Sequence, residues 1–185
     1  MAALLEKQAK RWTYEEYYRL DDDQRYEIID GSLLPMTPGP DTWHQSWVGE
    51  IYMIFQSHLK TRKLGKVFLS PVDVVLDEEN TIQPDLVFVS NANLNIIQKR
   101  AIFGAPDLLV ELVSPSSVRR DRQVKRDLYA RFGVQEYWIG DPAKRTLEIL
   151  NLQAGRYDLH CRAEGKGKLS SLVLPGLKFD LTQIQ

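Results

Sequence analysis

The stretch Asp107-Leu-Leu-Val-Glu-Leu-Val113 places one carboxylate in the middle of a run that is otherwise apolar. Apolar residues flank Glu111 at odd and even positions alike, which marks a strand over 108–113 buried on both faces. An ionised carboxylate in such a strand is costly unless it is paired, hydrogen-bonded or bound to metal. Glu111 is therefore the residue from which fold and chemistry are both read. Upstream, Pro84-Asp85-Leu-Val-Phe-Val89 opens a second buried strand with a carboxylate at its head.

In a strand, Asp85 shares a face with Val87, and Glu111 shares one with Leu109 and Val113. If the two strands are neighbours, both carboxylates converge on one ion. Two oxygen donors without a histidine or cysteine cluster suit Mg²⁺, or Mn²⁺ in its place, rather than zinc. Taken as residues alone, Asp85 fits a strand cap as well as it fits a ligand. Glu111 with Lys125 fits a buried ion pair.

The elements around these strands follow from periodicity. Thr13 followed by Glu16 is a capping box that starts a short helix over 13–20. Arg25–Asp30 and Leu33-Leu34 form a hairpin turned at Asp30-Gly31, closed by Pro35, Pro38 and Pro40. From Asp41 to Lys63, the residues Trp47, Ile51, Ile54, Phe55, His58 and Leu59 recur at helical spacing, and Gly65 stops that helix. Strands are expected at 66–69, 72–76 and 86–89, and again at 135–139 and 146–152. Between 119 and 132 lies a second helix, with an apolar stripe of Val124, Leu128 and Phe132, ended by Gly133. Further short strands and turns over 156–160 and 172–181 complete the chain. The order helix, strands, helix, strand is a mixed α/β (α+β) layout rather than a strict βαβ alternation, in a single domain over 1–185.

Composition narrows the function. The chain has 185 residues, 43% hydrophobic and 26% charged, with a net charge of −1, so no global attraction draws it to nucleic acid. A DNA-binding form must gather its basic residues on one face. Arg119, Arg120, Arg122 and Arg126, with Lys60, Arg62, Lys63 and Lys66, are the candidates for that rim, and ordinary solubility is the other reading of the same charges. The lone Cys161 cannot form an internal disulfide, and neither a secretory leader nor a membrane-spanning run is seen, which points to the cytoplasm.

Several further motifs occur in order. They are Tyr26-Glu27-Ile-Ile-Asp30-Gly31, His44, Asp85 after proline and the Glu111 strand. Ser114-Pro-Ser-Ser117, Asp121-Arg-Gln-Val-Lys125, Tyr129, Gly133-Val-Gln-Glu-Tyr-Trp138 and Asp141-Pro142 follow. This ordered set resembles the Uma-type family of restriction endonucleases, within the PD-(D/E)XK nuclease superfamily, over nearly the whole chain. The resemblance implies a restriction-endonuclease-like fold, a mixed central sheet flanked by helices, and Mg²⁺-dependent hydrolysis of DNA phosphodiester bonds by a metal-activated water. It implies Asp85 and Glu111 as metal ligands, joined by the backbone carbonyl of Leu112, and catalytic roles for Lys125, Glu27 and His44. The lysine usual two places after the glutamate is replaced by Val113, and Lys125 on the second helix is its substitute.

An endonuclease that cuts both strands implies a homodimer by analogy. The alternative is a catalytically inactive protein of the same fold that binds nucleic acid or protein. Asp73 alternates with apolar neighbours and reads as facing solvent or as an accessory to the Asp85 strand, while Tyr137 and Trp138 read as core.

Overall fold

The computed structural model describes residues 10–36, 39, 41–114 and 117–184. The expected leaderless N-terminus (1–9), Pro38, Pro40 and the centre of the Ser-Pro-Ser-Ser motif lie outside them.

A six-stranded sheet forms the centre, built from β3 (Gly65–Leu69), β6 (Leu86–Ser90), β8 (Leu108–Leu112), β9 (Glu136–Asp141), β10 (Thr146–Gln153) and β11 (Arg156–Glu164). Its order is β11-β10-β9-β8-β6-β3, and only β8 and β9 run parallel. On one face packs the long helix α2 (Thr42–Arg62), with Trp47, Ile51 and Phe55 set against Leu86, Phe88, Leu108 and Val110. The C-terminal strands β12 (Lys168–Ser170) and β13 (Lys178–Asp180) join that layer through Leu169 and Phe179.

The opposite face buries Val87, Val89, Leu109 and Val113. Against it lie the helix α3 (Arg126–Arg131) and strands β4 (Val74–Asp77) and β5 (Asn80–Ile82). These two strands belong to a five-stranded sheet with β1 (Tyr26–Ile29), β2 (Ser32–Pro35) and β7 (Ile102–Phe103). Alternation along β8 explains the arrangement: Leu108, Val110 and Leu112 face α2, while Leu109, Glu111 and Val113 face α3.

Local signals match their elements closely at the N-terminal end. The short helix α1 (Tyr14–Tyr18) carries the complete Thr13–Glu16 capping box, and the β1–β2 hairpin turns through Asp30 and Gly31, both at positive φ. Two expectations are corrected. Helix α2 ends at Lys63, which adopts the left-handed conformation, whereas Gly65 already belongs to β3; there a Cβ would come within 2.1 Å of the Val89 carbonyl. In the second helix the expected apolar stripe is buried only in part: Leu128 is buried and Phe132 half-buried, whereas Val124 is exposed and Asp121, Lys125 and Tyr129 are buried instead. The polar face turns inward because its charges find opposite partners there.

Candidate active site

Asp85 and Glu111 meet where β6 begins and β8 ends. The β6–β8 pairing sets Leu86 opposite Val110, and one more step of that register sets Asp85 opposite Glu111. The strand neighbourhood required for convergence is thus present. Asp85 accepts a hydrogen bond from the Leu112 amide at 2.7 Å, which ties the head of one strand to the end of the other.

His44 reaches this point from the first turn of α2. Its backbone amide donates to the Asp41 N-cap at 2.9 Å, which orients the helix start. Its Nε2 lies 3.0 Å from the Leu112 carbonyl oxygen and 3.3 Å from Asp85 Oδ2. Both neighbours are acceptors, so Nε2 carries the proton. Burial opposes charge on this ring, yet the Asp85 contact and the Leu112 carbonyl together raise its pKa above the ordinary histidine value.

The second half of the cleft is built around Lys125. A π-wound turn over Arg120–Lys125 leads into α3 and presents Asp121 and Lys125 inward. Such turns recur at functional sites. Lys125 Nζ lies 2.8 Å from Glu111 Oε1, 2.7 Å from Glu27 Oε1 and 3.8 Å from Asp121 Oδ1. Tyr129 donates to the same Glu111 oxygen at 2.7 Å. Glu27, wholly buried on β1, also accepts the Gln83 amide at 3.1 Å. Val113, where the usual lysine would stand, is apolar core.

Electrostatics here are those of crowded carboxylates. Burial raises the Glu111 pKa to about 8; the Lys125 ammonium opposes this, and Asp121, Asp85 and Glu27 add to it. Burial raises Asp121 as well, again against Lys125. For Lys125 burial works against the charge, but Glu111 and Glu27 outweigh it and hold the ammonium firmly protonated. A proton on Glu111 near neutral pH thus offsets part of the excess negative charge.

Five buried polar atoms around the cleft have no hydrogen-bond partner: Glu27 Oε2, Asp121 Oδ1, Gln83 Oε1, Arg120 Nε and His44 Nδ1. Buried polar groups are normally satisfied, so a local concentration of exceptions marks a place that receives ions, water or substrate. The cleft has a volume of about 520 Å³, and its walls include His44, Gln83, Asp85, Glu111, Arg120 and Lys125.

This donor set fits a hard divalent cation. Among the described residues no group of three or more His, Cys, Asp or Glu side chains is placed to hold a metal ion, so any ion here rests on two carboxylates and a backbone oxygen. Two carboxylates and the Leu112 carbonyl make an open, all-oxygen set of the kind Mg²⁺ uses while retaining waters.

The four arginines expected on one rim point to different places. Arg120 lines the cleft, and its Nε is 3.9 Å from both Glu27 Oε2 and Asp121 Oδ1, beyond hydrogen-bond reach. Arg122 pairs with Glu148 at 2.8 Å, Arg126 donates to the Tyr157 carbonyl at 2.7 Å, and Arg119 is exposed. Asp73 does not face solvent: half-buried, it accepts from Gln83 Nε2 at 2.7 Å. Tyr137 and Trp138 are core, as expected.

Two cleft residues were not singled out from the sequence. Asp121 stands four residues before Lys125, a spacing that signals a helical acid–base pair, but the surrounding charge run masks it. Gln83, two residues before Asp85, gives no comparable signal.

A layered mixed α/β fold with an acidic pair at the junction of two central strands defines a restriction-endonuclease-like protein. The chain belongs to the Uma2 family, described as "Putative restriction endonuclease", whose model matches residues 14–182. Among solved structures it is similar to a "putative nuclease belonging to DUF820" from Anabaena variabilis ATCC 29413. The TM-score is 0.75 at 18% identity, over 93% of this chain and 96% of the other, a likeness of fold. No curated protein matches the chain.

Proposed function

We propose that this protein is a Mg²⁺-dependent endonuclease that hydrolyses DNA phosphodiester bonds. The observation that carries the reading is the meeting of Asp85 and Glu111 across β6 and β8, with Lys125 held 2.8 Å from Glu111. Asp85 and Glu111 would hold the ion, and the Leu112 carbonyl would offer a third oxygen. When bound, the ion lowers the pKa of a water and neutralises the scissile phosphate.

The chain's own residues supply the rest. Lys125 places a fixed positive charge beside the reacting phosphate, where negative charge builds. Glu27 holds that ammonium from the far side, at 2.7 Å. His44, with its proton on Nε2 beside Leu112 and Asp85, fixes the Leu112 carbonyl and is placed to pass a proton to the leaving oxygen. Arg120, the only one of the four rim arginines that lines the cleft, binds a phosphate oxygen.

The test is cleavage of supercoiled plasmid with Mg²⁺ or Mn²⁺, beside Asp85→Asn and Glu111→Gln. Nicking or linearisation that requires the ion and disappears in both variants supports the reading. Cleavage that survives both substitutions overturns it.

A further inference from the structure

We infer that the cleft takes a single divalent cation, because the Lys125 ammonium already occupies the place of a second. The inference rests on the metal-dependent reading above and extends it to the number of ions.

Glu111 divides the cleft into two halves. On one side stand Asp85, which accepts the Leu112 amide, and the Leu112 carbonyl. Toward the π-wound turn Glu111 meets Glu27 and Asp121, and there three carboxylates surround one nitrogen, with contacts of 2.7, 2.8 and 3.8 Å to Lys125 Nζ. A second metal in this half would have to sit among these carboxylates, and that centre is filled by a side chain. Lys125 is 3% exposed and cannot swing into solvent without uncovering buried carboxylates.

A second divalent ion in this half would also stand beside the Lys125 ammonium and the Arg120 guanidinium, a like-charge cost that low-dielectric surroundings enlarge. The oxygens left without hydrogen bonds in this half, Glu27 Oε2 and Asp121 Oδ1, both face Arg120 Nε at 3.9 Å. That position is therefore taken by cationic side chains as well.

The experiment is a calorimetric titration of Mn²⁺ into the full chain, counting ions per chain. One ion per chain in the wild type is expected, and the count stays at one in the near-isosteric Glu27→Gln and Asp121→Asn variants. Lys125→Met, which empties the centre of the ring, shifts the count from one to two. Two ions in the wild type, with the second lost in Glu27→Gln, would overturn the inference while leaving the metal reading intact. No binding in the wild type would remove the metal reading itself. Thermal melts check that each variant is folded; should Lys125→Met fail to fold, the wild type and the two near-isosteric variants still decide the count.

Discussion

Asp85 accepts the Leu112 backbone amide at 2.7 Å, so a proposed metal ligand is also the clasp between β6 and β8. The two duties separate by substitution. Asp85→Asn keeps an acceptor for the amide, while Asp85→Ala leaves that donor without it, a loss of about 1–3 kcal/mol of stability. Urea denaturation without metal is expected to rank wild type and Asp85→Asn together above Asp85→Ala. Mn²⁺ binding is expected to be lost in both variants. A fully stable Asp85→Ala would show that the clasp contributes nothing.

The metal-free protein is expected to lose stability as pH rises through neutrality. Glu111 has its pKa raised from 4.5 to about 8 by burial, so the folded state holds a proton that the unfolded chain has released. Its contribution is full below about pH 4.5 and is lost as pH climbs to about 8. Asp121 and His44 are also raised, which gives the same sign. Denaturation in the presence of chelator at about pH 5.5 and about pH 8.5 measures the difference. Glu111→Gln should flatten this slope, and a slope unchanged by that substitution would assign the effect to another group.

Lys125→Met is expected to destabilise the chain by about 3–5 kcal/mol, because Glu111 and Glu27 would be left buried without their cation. Adding Glu27→Gln to the same chain should recover part of the loss, since one uncompensated charge goes with it. A double-mutant cycle reads the coupling directly. Strict additivity of the two substitutions would mean that the 2.7 Å contact carries no net energy.

How much of this was legible follows from where each signal resides. The capping box at Thr13, the Asp30-Gly31 turn and the doubly buried β8 rest on neighbours in sequence, and all are present. Asp85 and Glu111 stood out because a carboxylate in an apolar strand conflicts with its surroundings. Lys125 was legible as a partner of Glu111, but the inward turn of Asp121 beside it was hidden: a run of charges reads as solvated unless partners from β1 and β8 are known, and that pairing depends on distant segments. Glu136 was hidden for the same reason. It is wholly buried and accepts from Trp138, Ser171, Asn151 and the amides of Leu172 and Val173, so its donors come largely from the C-terminal region.

Glu136 therefore makes a control for the whole site. Its two carboxylate oxygens receive five hydrogen bonds, and Glu136→Gln would turn one acceptor into a donor facing donors. A loss of about 2–4 kcal/mol is expected, with Mn²⁺ binding unchanged at temperatures where the variant stays folded. Loss of binding in the folded variant would instead couple the C-terminal layer to the cleft.

Arg120 and Arg122 differ in what they touch, and nucleic-acid binding should separate them. Arg120 lines the cleft without a close carboxylate bond, whereas Arg122 is committed to Glu148 at 2.8 Å. In the presence of chelator, so that no metal-dependent cleavage intervenes, Arg120→Ala should weaken DNA affinity similarly across sequences. It should also reduce the slope of log affinity against log salt by about one phosphate contact, roughly 0.9. Arg122→Ala should change neither quantity. Filter binding over a range of salt concentrations gives both numbers for each variant. Equal effects from the two substitutions would place the nucleic acid along the outer face of the helix instead of in the cleft, and Arg126→Ala would then weaken binding too.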